Sequence, residues 1–365
     1  MKILIAVSGT GGHVYPGIAL AEELRSRHPD LAILFAAATG KPGPDWIRQA
    51  GFDVKTVPLR GVARRPGLVW LTLPFWLAAG FAAVFSLLSA EGPDLVVGTG
   101  GYVSGPFIAL ASMMRIPTVV LEQNSIPGVA TRLGAIVARE VHVTFPETLE
   151  QLPRKNRAVV SGNPVRRSIE QGDASAFRRD HSVAEGKPLV LVLGGSQGAK
   201  AVTAAAIDAA RQLGESAGIS MVIQTGAKGF EEAKARGEGA PSWLRIVPFI
   251  GDMGGAYAAS DLVVGRAGAT TLAELAAAGV PSILVPFPYA AKDHQTTNAQ
   301  RLEAEGAARV IAERDLDAPK LAAAIRELLG NRETLSRMRE AVRSAGNAGA
   351  RQRVAAACER ILGIG

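Results

Sequence analysis

The chain has one cysteine, Cys358, in 365 residues. An internal disulfide is excluded, and the composition suits a reducing cytoplasm. No zinc-finger spacing, RNA-binding signature or long basic tract occurs, so nucleic acid is set aside as a partner although the net charge is +7 and the pI near 9.7. That charge favours other anions: phosphates or acidic lipid headgroups. The 41 glycines and 21 prolines follow no short period, which excludes collagen-like repeats and leaves turns as their main use. No G-x-G-x-x-G and no P-loop lysine is present, which removes the usual marks of a dehydrogenase or a nucleoside triphosphatase. Asp315-Leu316-Asp317 is the one D-x-D. With no His, Cys or carboxylate cluster to complete a metal site, it reads as a helix cap, and no metal is expected. No signal-peptide pattern precedes the first strand, so the expected location is the cytoplasmic side of the membrane.

What is present is a globular composition, 48% hydrophobic and 20% charged, over a length that favours two domains. Residues 3–7, 32–36, 94–97, 118–121 and 141–145 read as strands, with helical patterns after most of them. The second half restarts in the same way, with strands expected at 189–193, 221–224, 246–249, 262–264 and 282–285. The fold class that follows is α/β, two Rossmann-like doubly wound domains facing across a cleft. Ser161-Gly162-Asn163-Pro164 marks the seam, because a residue before proline disfavours helix. Residues 1–163 are expected to form the first domain and 164–339 the second, with a terminal helix of about 340–365 crossing back to the first. Ligands in such folds bind beyond the carboxyl ends of the strands.

Three glycine loops lie at those ends. In the first, Ser8-Gly9-Thr10-Gly11-Gly12-His13-Val14-Tyr15-Pro16 joins a buried strand to a helix with Ile18, Leu20, Ala21 and Leu24 at helical spacing. Amides freed by small residues at a helix start suit phosphate or sugar hydroxyls, although such turns also serve plain strand-to-helix geometry. His13 adds a titratable imidazole, either as a base or as an orienting hydrogen-bond group. The other loops span residues 98–106 and 194–198.

Residues 265–274 lead from a strand into a helix closed by Gly279 and Pro281. Glu274 there could accept hydrogen bonds from ribose hydroxyls or partner the helix dipole. After Pro286-Phe287-Pro288, Gln295 and Asn298 carry amides able to read sugar hydroxyls, the alternative being a helix start capped by Asp293 or Thr296.

Residues 68–90 form a nearly uncharged run. It is long enough to span a bilayer, but Pro74 and Gly80 interrupt it and a span would cut the parallel sheet. A buried core helix and an apolar surface beside Arg60, Arg64 and Arg65 are the other readings. The surface reading is preferred, because Trp70 and Trp76 suit an interface with anionic lipid.

Seven motifs in order, GTGGHVYPG, GTGGYVSGP, EQNSIPG, SGNPVR, GGSQGA, GRAGATTLAELAAAGVP and DHQTTNA, resemble the bacterial cell-wall N-acetylglucosaminyltransferases that convert lipid I to lipid II. The resemblance covers nearly the whole chain and implies the glycosyltransferase-B fold on the cytoplasmic face of the plasma membrane. It implies inverting transfer from UDP-N-acetylglucosamine to the 4-hydroxyl of undecaprenyl-pyrophosphoryl-muramoylpentapeptide, with no cofactor required. Cell-wall synthesis and division proteins are implied as further partners. In the second half, Ser196, Ala269, Thr270, Thr271, Leu272, Ala273 and Glu274 would meet the diphosphate and ribose, Ile250 the uracil, and Gln295 the sugar. Arg166 would neutralise phosphate charge, and Thr10, Gly11, Gly12 and Asn124 would close over the donor. Gly100, Gly101 and Tyr102 would face the acceptor diphosphate, with His13 as the candidate base. Ser8 stands where the family often has glycine, and Leu121 where histidine is frequent, which leaves His13 more isolated as a proton acceptor. A glycolipid synthase or a UDP-N-acetylglucosamine 2-epimerase of the same fold, or a non-catalytic sugar-nucleotide sensor, are the competing readings.

Overall fold

A computed structural model describes residues 1–61, 69–194, 199–290, 293–346 and 348–364, with residues 69–73 described as main chain. The chain divides into two compact units, Met1–Arg166 with Asn347–Gly365, and Arg167–Gly346.

The first unit begins with β1 (Lys2–Val7), α1 (Gly11–Arg27), β2 (Ala32–Ala38), α2 (Gly43–Gln49) and β3 (Asp53–Val57). It continues with α3 (Val69–Glu91), β4 (Leu95–Gly98), α4 (Gly101–Met113), β5 (Thr118–Glu122), α5 (Val129–Val137), β6 (Glu140–Val143) and β7 (Ala158–Val160). Its strands are all parallel, in the order β3-β2-β1-β4-β5-β6-β7. β1 shows why: Ile3, Leu4, Ile5, Ala6 and Val7 are all fully buried, an unbroken apolar run that only a sheet covered on both faces can satisfy. Alternate residues feed two cores. Ile3, Ile5 and Val7 pack with α1, while Leu4 and Ala6 pack with Val84, Leu88, Val103 and Phe107 on the opposite face.

The second unit comprises α6 (Arg167–Glu170), α7 (Ala174–Asp180), β8 (Leu189–Leu193), α8 (Lys200–Leu213), β9 (Ser220–Gln224), α9 (Phe230–Arg236) and β10 (Leu244–Val247). After these come α10 (Met253–Ala259), β11 (Leu262–Gly265), α11 (Ala269–Ala278), β12 (Ser282–Leu284), α12 (His294–Ala304), β13 (Ala308–Val310), α13 (Ala318–Gly330) and α14 (Arg332–Ala345). Its parallel sheet runs β10-β9-β8-β11-β12-β13, the same winding as the first. In both, strand order reverses beside the first strand, at β1/β4 and β8/β11. Asp317 caps α13 by accepting from the Lys320 amide at 2.7 Å.

The terminal helical stretch is two helices. α14 ends at Ala345 in the second unit, and α15 (Ala350–Leu362) belongs to the first. Val354, Ala355 and Cys358 join the α1 core, and burial, helped by Glu140 and Glu359, pushes the Cys358 thiol up to about 12. Charge fixes the contact: Arg351 Nε meets Glu23 at 3.2 Å, and Glu359 receives Arg27 at 3.2 Å and His28 at 3.0 Å. Arg351 and Arg353 also donate to the Val165 and Ser161 carbonyls, at 3.0 and 2.7 Å.

α3 packs against β3 and α4 through one face, with Val84 and Leu88 fully buried. Its other face carries Phe75 at 79% exposure and Phe85 at 52%. The buried-core reading of this run therefore fails. Its 74–91 segment is long and apolar enough to cross a membrane by length and composition, and only 17% of it is buried. Arg60 lies 5.8 Å from the Trp76 ring. Arg64, Arg65 and the Trp70 side chain lie outside the described residues.

Candidate active site

The sheet order of the first unit sets the loops after β1, β4 and β5 side by side at its carboxyl edge. His13, the third residue of α1, there meets Thr99 and Gln123. Its Nδ1 is 2.9 Å from the Thr99 carbonyl oxygen and 3.0 Å from Gln123 Oε1. The ring fits because Gly100 and Gly101 have no side chain: a Cβ on Gly100 would stand 3.2 Å from Cε1 and Nδ1, and one on Gly101 3.2 Å from Cδ2. Both glycines hold positive φ, +89° and +72°, which side chains strain to adopt. Ser8 Oγ and Ser104 Oγ donate to the Gly100 carbonyl at 3.1 and 2.8 Å and pin the loop. Ser8, read as a departure from the family pattern, thus has a structural task. Leu121 is buried in the α1 core.

Thr10 is the N-cap residue of α1, with Gly11 and Gly12 in the first turn. Thr10 and Gly12 are exposed and Gly11 half-buried. Asn124 donates its main-chain amide and Nδ2 to Glu122 Oε1, at 3.0 and 3.2 Å. Tyr102 is half-buried beside Gly61, and burial pushes its phenol up, so it stays a neutral hydroxyl. Arg166 stands elsewhere than expected. It ends the first unit rather than opening the second, with its guanidinium 4.0 Å over the Tyr15 ring, which stacks on Trp46.

In the second unit, Gly268 is the N-cap of α11, and Ala269, Thr270 and Thr271 form its first turn. Glu274 lies a turn further on, so it is not a first-turn partner of the helix dipole. Its carboxylate is buried and accepts from the Tyr257 hydroxyl at 3.1 Å. Leu272 is buried and Ala273 half-buried. Arg266 donates to the Val285 and Pro286 carbonyls, both at 3.2 Å, and pairs with Glu313, tying the ends of β11 and β12 together.

Gln295 Oε1 accepts from the Phe287 amide at 3.0 Å, while its Nε2 has no hydrogen-bond partner among the described residues. Asp293 stands at the N-cap of α12 without accepting a backbone amide; it takes the Thr296 hydroxyl at 2.6 Å instead. One expectation needs correction. Asn298 is fully buried with Nδ2 3.4 Å from the Ala267 carbonyl, so it braces the loop instead of reading sugar. Ile250 is buried, as Glu274 is. Ser196 lies outside the described residues. Among those residues no group of three His, Cys, Asp or Glu side chains could hold a metal.

Thr99, Gln123, Ser104, Tyr257 and Arg266 were not singled out from sequence. Thr99 and Gln123 sit within motifs that were, GTGGYVSGP and EQNSIPG. Their signal was strand adjacency: a residue just beyond β5 reaches one just beyond β1 across β4.

Chemically, this edge offers an imidazole whose Nδ1 is engaged and whose Nε2 has no hydrogen-bond partner among the described residues. The second unit offers helix-start amides beside a buried, hydrogen-bonded carboxylate. The chain is similar to known proteins over nearly its whole length. Residues 3–143 match the Glycosyltransferase family 28 N-terminal domain and residues 189–355 its C-terminal domain. A Chlorobaculum tepidum protein named UDP-N-acetylglucosamine--N-acetylmuramyl-(pentapeptide) pyrophosphoryl-undecaprenol N-acetylglucosamine transferase is 39% identical, over 100% of this chain and 99% of its own. A protein of the same name from Salinibacter ruber is 40% identical, over 93% and 91%. The crystal structure of Acinetobacter baumannii MurG superposes with a TM-score of 0.74 at 28% identity, covering 98% of this chain and 99% of that one. The chain belongs to glycosyltransferase family 28 and, within it, to the UDP-N-acetylglucosamine--N-acetylmuramyl-(pentapeptide) pyrophosphoryl-undecaprenol N-acetylglucosamine transferases.

Proposed function

We propose that His13 is the general base of the reaction that defines this family. The enzyme transfers N-acetylglucosamine from UDP-N-acetylglucosamine to the 4-hydroxyl of lipid-linked N-acetylmuramoyl-pentapeptide, forming the β-1,4 bond of lipid II. Inversion follows from a single displacement: the hydroxyl oxygen bonds to the anomeric carbon, the bond to the diphosphate breaks, and its electrons leave with UDP. The hydroxyl proton passes to His13 Nε2. The observation that carries this reading is the engagement of Nδ1 by two oxygen acceptors, which makes Nε2 the nitrogen with a lone pair.

On the donor side, the α11 amides receive the diphosphate, Glu274 the ribose hydroxyls and the Gln295 amide the sugar. Leaving-group charge is met by these amides, and the transfer is read as independent of metal. The protein is read as peripheral, resting the exposed face of α3 on the anionic cytoplasmic surface of the plasma membrane.

A radiolabelled transfer assay with lipid I and UDP-N-acetylglucosamine, with and without chelator, tests the scheme. His13→Ala is expected to keep donor binding and lose about 100-fold or more in turnover. Unchanged turnover removes His13 as base, and loss of turnover on chelation removes the metal-free reading.

A further inference from the structure

We infer that Gln123, together with the Thr99 carbonyl, is the positioning group that fixes the tautomer of His13. The inference rests on the base reading above and adds to it the residue that makes the base competent. Thr99 O is a main-chain carbonyl and can only accept, so at 2.9 Å the His13 Nδ1 must carry the hydrogen. With that hydrogen in place, Gln123 must turn its amide oxygen to the ring, since the amide nitrogen would set two donors against each other. It does so, with Oε1 at 3.0 Å.

The choice has a visible cost. Gln123 is 2% exposed, and its Nε2 is buried without a hydrogen-bond partner among the described residues. A buried donor left unmade is destabilising, and the flipped amide would only shift that cost onto the imidazole.

The neighbouring carboxylate is not an alternative. Glu122 Oε1 holds the amide and Nδ2 of Asn124, and Oε2 holds the Gly128 amide at 3.0 Å. The ring is therefore oriented by two neutral oxygens, where many catalytic histidines have a carboxylate. As Nε2 takes the proton from the acceptor hydroxyl, Nδ1 keeps its own and both oxygens face the resulting cation. A neutral pair stabilises that cation less than a carboxylate would.

The test is kinetic and spectroscopic, on the full chain, with thermal unfolding to verify each variant's fold. Gln123→Met is expected to lower kcat by about tenfold or more with the donor KM changed less than about twofold. Gln123→Glu is expected to move the acid limb of the kcat profile to higher pH than in the wild type, by about one unit, because a carboxylate favours the imidazolium. Imidazole nitrogen NMR, assigned by His13→Gln, should show the Nδ1–H form in the wild type and a mixture in Gln123→Met. An Nε2–H form in the wild type, or Gln123 variants whose pH profiles superimpose on it, overturns the positioning role while leaving His13 as base. A fully active His13→Gln overturns the base reading, and the catalytic role of Gln123 with it, whatever the tautomer.

Discussion

The Tyr257 hydroxyl donates to Glu274 Oε2 at 3.1 Å, a bond between α10 and α11 made inside the second unit where both residues are buried. It fixes one oxygen of the carboxylate assigned to ribose. Tyr257→Phe removes the donor but not the charge, at a cost of about 1 kcal/mol. The expected result is a donor Kd raised about fivefold by calorimetry, with kcat at saturation little changed. Glu274→Ala should abolish measurable donor binding, and equal affinity in both variants would remove Glu274 from the donor site.

Gly101→Ala is a small change with a large expected effect. The added Cβ overlaps Ser8 Oγ and comes to 3.2 Å from His13 Cδ2, at a φ of +72° that alanine resists. Turnover should fall at least about tenfold with donor affinity intact, because the disturbance is confined to the loop that holds the imidazole. Pairing it with Ser8→Gly should recover part of the loss. No recovery would show that backbone strain, rather than the overlap, is responsible.

His142 predicts a pH-dependent stability remote from catalysis. Burial lowers its pKa from 6.5 to about 4, against the opposing pull of Glu140. The folded form therefore holds fewer protons than the unfolded chain between those values, and stability falls as pH drops from about 6.5 toward 4. The loss has an upper bound of about 3 kcal/mol. Urea midpoints across that window should slope for the wild type and flatten for His142→Leu; parallel slopes would contradict the assignment.

The exposed face of α3 gives a binding prediction. Phe75→Asp with Phe85→Asp should weaken sedimentation with anionic phospholipid vesicles by about tenfold or more, since two buried aromatic contacts and two added charges act together. Activity on a detergent-soluble acceptor should persist. Undiminished vesicle binding would mean that another surface makes the contact.

The interior strands were legible in the sequence to within one or two residues, because β1, β4, β5, β8 and β11 are continuous apolar runs. β3, β7 and β13 were not. They are edge or short strands, and β3 exposes Asp53, Lys55 and Thr56. The break between α14 and α15 was likewise missed, although Gly346 and Gly349 flank it. Motifs placed the first two glycine loops after β1 and β4, at the carboxyl edge of the first sheet, while residues 195–198 of the third lie outside the described residues. The motifs could not show that Gln123 faces His13, because that contact joins residues 110 positions apart. The stacking of Arg166 on Tyr15 was hidden for a similar reason: Pro164 signals a change of direction, whereas that contact joins residues far apart in the chain.

The return of α15 has a consequence for how the chain is made. Val354, Ala355 and Cys358 complete the core that holds Ile3, Ile5 and Leu24, yet they leave the ribosome only after all of residues 167–346. The second unit can close as soon as it is synthesised. The first must wait with the outer side of α1 uncovered, its Glu23 still lacking Arg351. Docking of α15 on α1 is therefore a late step in the folding of the first unit, taken after the whole of the second has been synthesised.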